Sequence, residues 1–85
     1  MKLPRDISGN QLIKNLKPLG YIVTRQTGSH IRLSTEQNGQ HHITIPQHDP
    51  LKIGTLTAIL ADIATHFNLS KNELTDLLFL NNSFQ

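Results

Sequence analysis

The chain has no cysteine and no tryptophan, and its 85 residues include only one tyrosine and three phenylalanines. The lack of cysteine excludes a disulfide framework, a zinc ribbon, an iron–sulfur site and thiol catalysis. No window approaches the roughly 18 uninterrupted apolar residues that a membrane span needs. Asp6 also interrupts the N-terminal stretch before the apolar segment of a secretion signal could form. We therefore expect a cytoplasmic protein with no membrane partner.

The small size and composition of the chain favour one globular domain. A length of 85 residues and a mass of 9.6 kDa predict a single domain over residues 1–85, with its core in about 7–68 and a helix and tail in 69–85. The net charge is +2, but residues 1–52 carry seven Lys/Arg against three Asp/Glu, and residues 53–85 carry one against three. This asymmetry fits an anionic partner for the first part of the chain, although charge also divides in this way by chance.

The first helix is predicted from its cap. Ser8 is followed three residues later by Gln11, which is the spacing of a capping box, and apolar residues then recur at helical intervals from Leu12 to Leu19. Pro18 and Gly20 are expected to end this helix.

Three strands follow, because the apolar period changes to two. Alternation and β-branched residues predict strands at 21–24, 30–34 and 42–45, with turns at Gly28 and at Asn38-Gly39, and with Pro46 closing the third strand. The short connections predict an antiparallel meander.

Two further helices are predicted after the strands. Leu56, Ile59, Leu60 and Ile63 recur at helical spacing over about residues 55–66. Ser70 and Glu73 then repeat the capping-box spacing before a short third helix, and the chain is expected to fray after Phe79. The order α-β-β-β-α-α predicts an α+β, two-layer domain in which helices cover one face of a three-stranded antiparallel sheet.

The open face of this sheet carries the candidate chemistry. The pleat places His30, Arg32, His42 and Thr44 there, and we expect Thr24 and Gln26 to join them. A histidine beside a fixed cation suits proton transfer at a phosphodiester, although a solvated sheet face carries the same residue types. In Gly28-Ser29-His30, the glycine permits a tight turn and the serine can bond the turn backbone or a phosphate.

Other kinds of site have little support in the sequence. His41, His42 and His48 are close along the chain, but neighbours in a strand point to opposite faces and no acid completes a metal site. The sequence has no GxGxxG, P-loop, HExxH or GxSxG motif. We therefore expect no metal and no cofactor. His66 is interpreted as a helix-end cation or a residue at the edge of the core.

Most of residues 7–60 resemble the HicA-type toxins, also called YcfA-like, which are small mRNA interferases of type II toxin–antitoxin modules. The resemblance rests on Ser8-Gly9, Leu16-x-x-x-Gly20-Tyr21, Arg25-x-x-Gly28-Ser29-His30, Ile43-Thr44-Ile45-Pro46-x-His48 and Lys52-x-Gly54-Thr55-Leu56-x-x-Ile59-Leu60. It implies a double-stranded-RNA-binding-like α-β-β-β-α fold, extended here by the third helix, which could cover the core, pair with a copy of itself or meet a partner.

The resemblance also implies an activity: endoribonucleolytic cleavage of mRNA without a metal. His30 is implied as the catalytic residue, supported by Gly28 and Ser29, and it would take the 2′-hydroxyl proton so that a 2′,3′-cyclic phosphate forms. Candidate RNA-binding residues are Arg25, Arg32, Lys52 and His48, with Lys14 and Lys17 favoured as solubility charges. The implied partner is a HicB-type antitoxin that blocks the site in a hetero-oligomer.

Two other functions remain open at this point. One is a non-catalytic RNA-binding domain of the double-stranded-RNA-binding type, which places basic residues at the start of its last helix. The second helix here has no Lys or Arg over residues 55–66, which counts against that reading. The other is a structural or protein-interaction domain in which Gly28-Ser29-His30 is only a hairpin turn.

Overall fold

The computed structural model of the chain describes residues 6–80. Its elements are α1 (Gly9–Asn15), β1 (Ile22–Thr27), β2 (His30–Thr35), β3 (His41–Pro46), α2 (Ile53–Phe67) and α3 (Lys71–Thr75). A 3₁₀ turn, Lys17–Leu19, follows α1, and a π-helical turn, Asp76–Leu80, extends α3. The α+β class and the order of elements are confirmed. The double-stranded-RNA-binding-like assignment stays a prediction, and the fraying expected in residues 81–85 lies outside the described range.

Both capping boxes form as predicted. The Ser8 hydroxyl accepts the Gln11 N–H at 3.1 Å, and the Gln11 side-chain oxygen accepts the Ser8 N–H at 2.9 Å. Ser70 and Glu73 make the same reciprocal pair at 3.0 and 2.8 Å. Each box satisfies two N–H groups that the first turn of a helix leaves without partners, so these two helix starts are encoded locally.

The sheet has the order β1-β2-β3, with both pairs antiparallel. α1 and α2 contact β3, and α3 packs on α2. On the helix side of β2 and β3 the aliphatic residues are buried: Ile31, Leu33, Ile43 and Ile45. On the other side His30, Arg32, His42 and Thr44 are exposed, which confirms the predicted open face, and β1 is exposed along its whole length. The side chains of the core with at most 1% exposure are aliphatic apart from one phenol and one threonine: Leu12, Leu16, Tyr21, Leu33, Thr35, Ile45, Leu56, Leu60, Ile63, Leu74 and Leu78.

The boundaries of several elements differ from those predicted. β1 begins one residue later than expected and runs to Thr27, so Tyr21 precedes the strand and lies in the core at 1% exposure. α1 ends at Asn15 and the 3₁₀ turn carries the chain to Gly20, whose φ of 82° ends it. α2 extends beyond the predicted range at both ends, and Asn68 stops it with a φ of 58°. Two of these limits are therefore set locally, by residues in the left-handed conformation at Gly20 and Asn68.

A β-bulge in β1 reverses the orientation of its second half. Val23 lies opposite Leu33, but the next paired residue is Arg25, opposite Arg32, so Thr24 is an extra residue in β1. The Thr24 hydroxyl donates to the Arg32 carbonyl at 3.4 Å. After the bulge Gln26 lies opposite the buried Ile31. The expectation that Gln26 joins the open face is therefore wrong, because one inserted residue exchanges the two faces of a strand.

The helices of residues 6–80 are all too short or too polar to cross a membrane.

Candidate functional site

The open face of the sheet is organised as three cross-strand rows, since residues paired between antiparallel strands project from the same face. In the order β1, β2, β3, the His30 row consists of Thr27, His30 and Pro46. The arginine row consists of Arg25, Arg32 and Thr44. The His42 row consists of Ile22, Ser34 and His42. Successive rows are two residues apart along a strand, about 7 Å. The rows place His30, the two arginines and His42 in a defined sequence across one surface.

A tight hairpin turn fixes the position of His30. Thr27 pairs with His30, so Gly28 and Ser29 form a two-residue loop. Gly28 has a φ of 58°, as the first central residue of a type II′ turn requires. The Gln47 N–H donates to the Ser29 carbonyl at 2.6 Å. His30 is thus held from both neighbouring strands, and the predicted role of Gly28 in the turn is confirmed.

Two glutamines brace this turn: Gln26, which was expected on the open face instead, and Gln47, which was not predicted as part of the site. The Gln26 side-chain amide donates to the Gly28 carbonyl and to the Gln47 side-chain oxygen, both at 3.3 Å. The Gln47 amide in turn donates to Asn10 in α1 at 3.4 Å. The bulge is what points Gln26 towards the turn, so no local pattern in the sequence could have identified it.

Arg25 and Arg32 form a cross-strand pair of like charge. Both side chains are exposed, and within residues 6–80 neither makes an ion pair. Like charges directly opposite each other destabilise a sheet. Together with Thr27, His30 and Thr44, the two arginines line a depression of about 170 Å³ that contains no carboxylate. An imidazole and two guanidinium groups around one small space form a site suited to an anion.

His48 and Lys52 do not line this depression. Both are exposed in the connection between β3 and α2. The Gly9 N–H donates to the His48 carbonyl at 2.9 Å, and a Cβ on Gly9 would lie 2.2 Å from the Pro46 carbonyl oxygen. Close approach of α1 therefore requires glycine at position 9 and orders the backbone at His48. Binding of RNA by the His48 and Lys52 side chains stays a prediction.

Lys14 and Lys17 lie in the helical part of the chain, in α1 and in the turn after it, and both are exposed. Neither lines the depression.

A second polar cluster lies on the helix side of the sheet. The Tyr21 hydroxyl is 2.7 Å from His41 Nδ1, and His41 Nε2 is 3.2 Å from an Asp62 carboxylate oxygen. The His66 ring stacks on His41 with centroids 4.3 Å apart. Burial, and secondarily the Asp62 charge, raises the pKa of Tyr21 well above its usual value, so the phenol stays protonated while it is hydrogen-bonded to His41.

This cluster ties β3 to α2 and is separate from the open face, because His41 and His42 alternate across the strand. His66 lies in the last turn of α2 and is half-buried against His41 and Phe67, so it has both the helix-end and the core-edge position expected for it. Over residues 6–80, no three His, Asp or Glu side chains are grouped so that they could hold a metal ion.

Comparison with known proteins gives one match. The model of a family described as HicA toxin of bacterial toxin-antitoxin matches residues 9–64, which is more than half of the chain. The match starts at the first residue of α1 and ends within α2, so it includes all three strands and every residue of the depression. No curated protein and no solved structure matches the chain.

Proposed function

The chain belongs to the HicA toxin family of bacterial toxin–antitoxin systems, and from this premise we propose that it is a metal-independent endoribonuclease that cleaves mRNA with His30 as its catalytic residue. The observation that carries the proposal is that His30 lines one depression together with Arg25 and Arg32. Such an arrangement supplies a proton acceptor and two phosphate-binding cations at the same place.

The proposed reaction is an internal phosphoryl transfer. His30 takes the proton of a ribose 2′-hydroxyl, and the oxygen attacks the adjacent phosphorus. The bond from phosphorus to the 5′-oxygen of the next nucleotide breaks, and that oxygen takes a proton from solvent. The products are a 2′,3′-cyclic phosphate and a 5′-hydroxyl. General base catalysis of this kind contributes about 10²- to 10⁴-fold to a rate.

Arg25 and Arg32 hold the phosphate in this proposal and stabilise the negative charge that develops on it. Two features of the structure support that role. The guanidinium groups have no carboxylate partner within the described residues, so a phosphate does not compete with an internal ion pair. A bound phosphate would also relieve the repulsion between two like charges that face each other across β1 and β2.

The proposed antitoxin partner is of the HicB type. Cleavage can be blocked by covering the exposed His30 and arginine rows, and no described part of the chain covers them. A partner that presents carboxylates to Arg25 and Arg32 would match the charge of this surface.

The proposal is tested by cleavage of a defined single-stranded RNA by purified protein in EDTA. We expect the wild type to cut and to leave cyclic-phosphate ends, and His30→Ala to lose about 10²- to 10⁴-fold in rate with an unchanged circular dichroism spectrum. Lys71→Gln, which removes an exposed charge on α3, is the control and should cut normally.

The outcomes separate the open functions. Equal cutting by wild type and His30→Ala would refute the assignment of His30. RNA binding by both proteins without cutting by either would refute the ribonuclease and leave a non-catalytic RNA-binding domain. Neither binding nor cutting would leave a structural or protein-interaction domain.

A further inference from the structure

A second concavity lies on the open face and adjoins the depression around His30. Its volume is about 720 Å³, within the range of about 300–1,000 Å³ found for pockets that bind small organic ligands. Arg25 and Arg32 line both spaces, so the two form one continuous surface. We call the second space the groove.

The groove differs from the depression in its chemistry. Apart from the two shared arginines it has no Lys or Arg, and its lining includes one apolar side chain together with hydroxyl, carboxylate, amide and imidazole groups: Ile22, Ser34, Glu36, Gln37, Gln40 and His42. The Glu36 carboxylate would repel a phosphate. A nucleobase, in contrast, needs an apolar surface against its face and mixed donors and acceptors at its edge.

The His42 row supplies both an apolar surface and a polar group for the base edge, at a fixed distance from the arginine row. Ile22 is 65% exposed, on the same face as the arginines, and offers an aliphatic surface for a base to lie against. Ser34 Oγ is 2.5 Å from His42 Nδ1, which orients the imidazole and leaves Nε2 without a protein partner in the described part of the chain. This row is about 7 Å beyond the arginine row and about twice that from the His30 row.

We propose that the groove binds a nucleobase of the RNA strand whose phosphate lies between Arg25 and Arg32, and that Ile22, His42 and the groove's polar side chains thereby determine which RNA sequences are bound and cut. The inference rests on the proposed ribonuclease function and adds to it a site for sequence preference. The arginines hold the backbone of any RNA, whereas the groove distinguishes bases.

Binding measured in the His30→Ala background tests the groove separately from cleavage. The probes are single-stranded A₈, C₈ and U₈ RNAs and an abasic deoxyribose-phosphate chain of the same length, which carries the phosphates without bases. We expect the affinities for the three RNAs to differ by about tenfold or more, a modest share of what well-placed base contacts supply. Adding Ile22→Ala or His42→Ala should abolish that difference and leave binding of the abasic chain unchanged.

Val23→Ala is the matched control for Ile22→Ala. Val23 is the next residue of β1, is 51% exposed, and lies opposite Leu33 on the other face of the sheet. It should keep the base preference. Ser34→Ala should reduce the preference as His42→Ala does, because it removes the bond that orients the imidazole.

The results separate failure of this inference from failure of the proposed function. Equal binding of the three RNAs, or equal weakening of RNA and abasic chain by Ile22→Ala, would overturn the inference even if the wild type cuts RNA. A base preference that is lost in Ile22→Ala and His42→Ala would support it, and would do so even if the wild type cuts nothing and the ribonuclease proposal falls. If the His30→Ala protein binds none of the probes, the groove proposal is overturned.

Discussion

The facing arginines of β1 and β2 lead to a prediction about stability. Arg25 and Arg32 are direct cross-strand partners, and neither forms an ion pair with a carboxylate among the described residues. Like charges opposite each other in a sheet destabilise it by about 0.2–1 kcal/mol. We therefore expect this pair to lower the free energy of unfolding by that amount in the absence of RNA.

A double-mutant cycle measures the repulsion. Arg25→Gln and Arg32→Gln each remove it, so the double variant removes nothing further. The increases in the free energy of unfolding of the two single variants, added together, should exceed the increase of the double variant by about 0.2–1 kcal/mol. The cycle also cancels contributions of each arginine's aliphatic stem to packing, which differ between the two positions.

Urea unfolding at low and at high salt is the appropriate assay. The screening length is about 30 Å at 0.01 M ionic strength and about 3 Å at 1 M, so the coupling should be measurable in the first condition and nearly absent in the second. Lys71→Gln is the control for loss of one positive charge far along the chain. A coupling of zero, or a favourable one, at low salt would refute the reasoning that this pair is kept at a cost to stability.

Three other predictions concern stability. Tyr21→Phe leaves His41 Nδ1 without its hydrogen bond and should lower the free energy of unfolding in urea by about 1–3 kcal/mol. Because burial raises the pKa of Tyr21 above its ordinary 10, the wild type should also lose stability as pH rises above 10. The Phe variant should not show this loss. Gly28→Ala should cost about 1–2 kcal/mol because of its positive φ, whereas Gly54→Ala, in α2 with open space around it, should stabilise by up to about 1 kcal/mol; equal effects in thermal melts would contradict this. Hydrogen bonds in the capping box lower the pKa of Glu73 below 4.5. The contribution of the ionised Glu73 to the free energy of unfolding is therefore complete above pH 4.5 and is lost as the pH falls through the lowered pKa. Glu73→Gln should flatten that part of the acid-unfolding curve.

The bulge in β1 links the fold to the proposed function. Without the extra residue, Arg25 would have the same orientation as Val23 and would point to the helix side of the sheet. With it, Arg25 faces Arg32 beside His30, and Gln26 turns back to brace the hairpin. Bulges commonly redirect side chains next to functional sites, and this one assembles the arginine row.

Much of the fold could be predicted because its signals are local. The capping boxes at Ser8 and Ser70 depend on residues three positions apart, and the strands follow from a two-residue period. The same period correctly placed His30, Arg32, His42 and Thr44 on the open face, and the requirement of the turn for a positive φ explains Gly28.

The remaining features depend on contacts between distant parts of the chain. The hydrogen bonds of Tyr21 with His41 and of His41 with Asp62 join residues about twenty positions apart, and nothing in the local sequence marks them as partners. The bulge at Thr24 is a matter of register between strands, so alternation placed Gln26 on the wrong face and could not show that Arg25 opposes Arg32. By itself the sequence determined the elements and their order, because short-range hydrogen bonding and periodic burial encode them, while the resemblance to the HicA-type toxins supplied the catalytic candidate. Only the tertiary structure decided which side chains share a row and a groove, because strand pairing sets those positions and no single segment contains them.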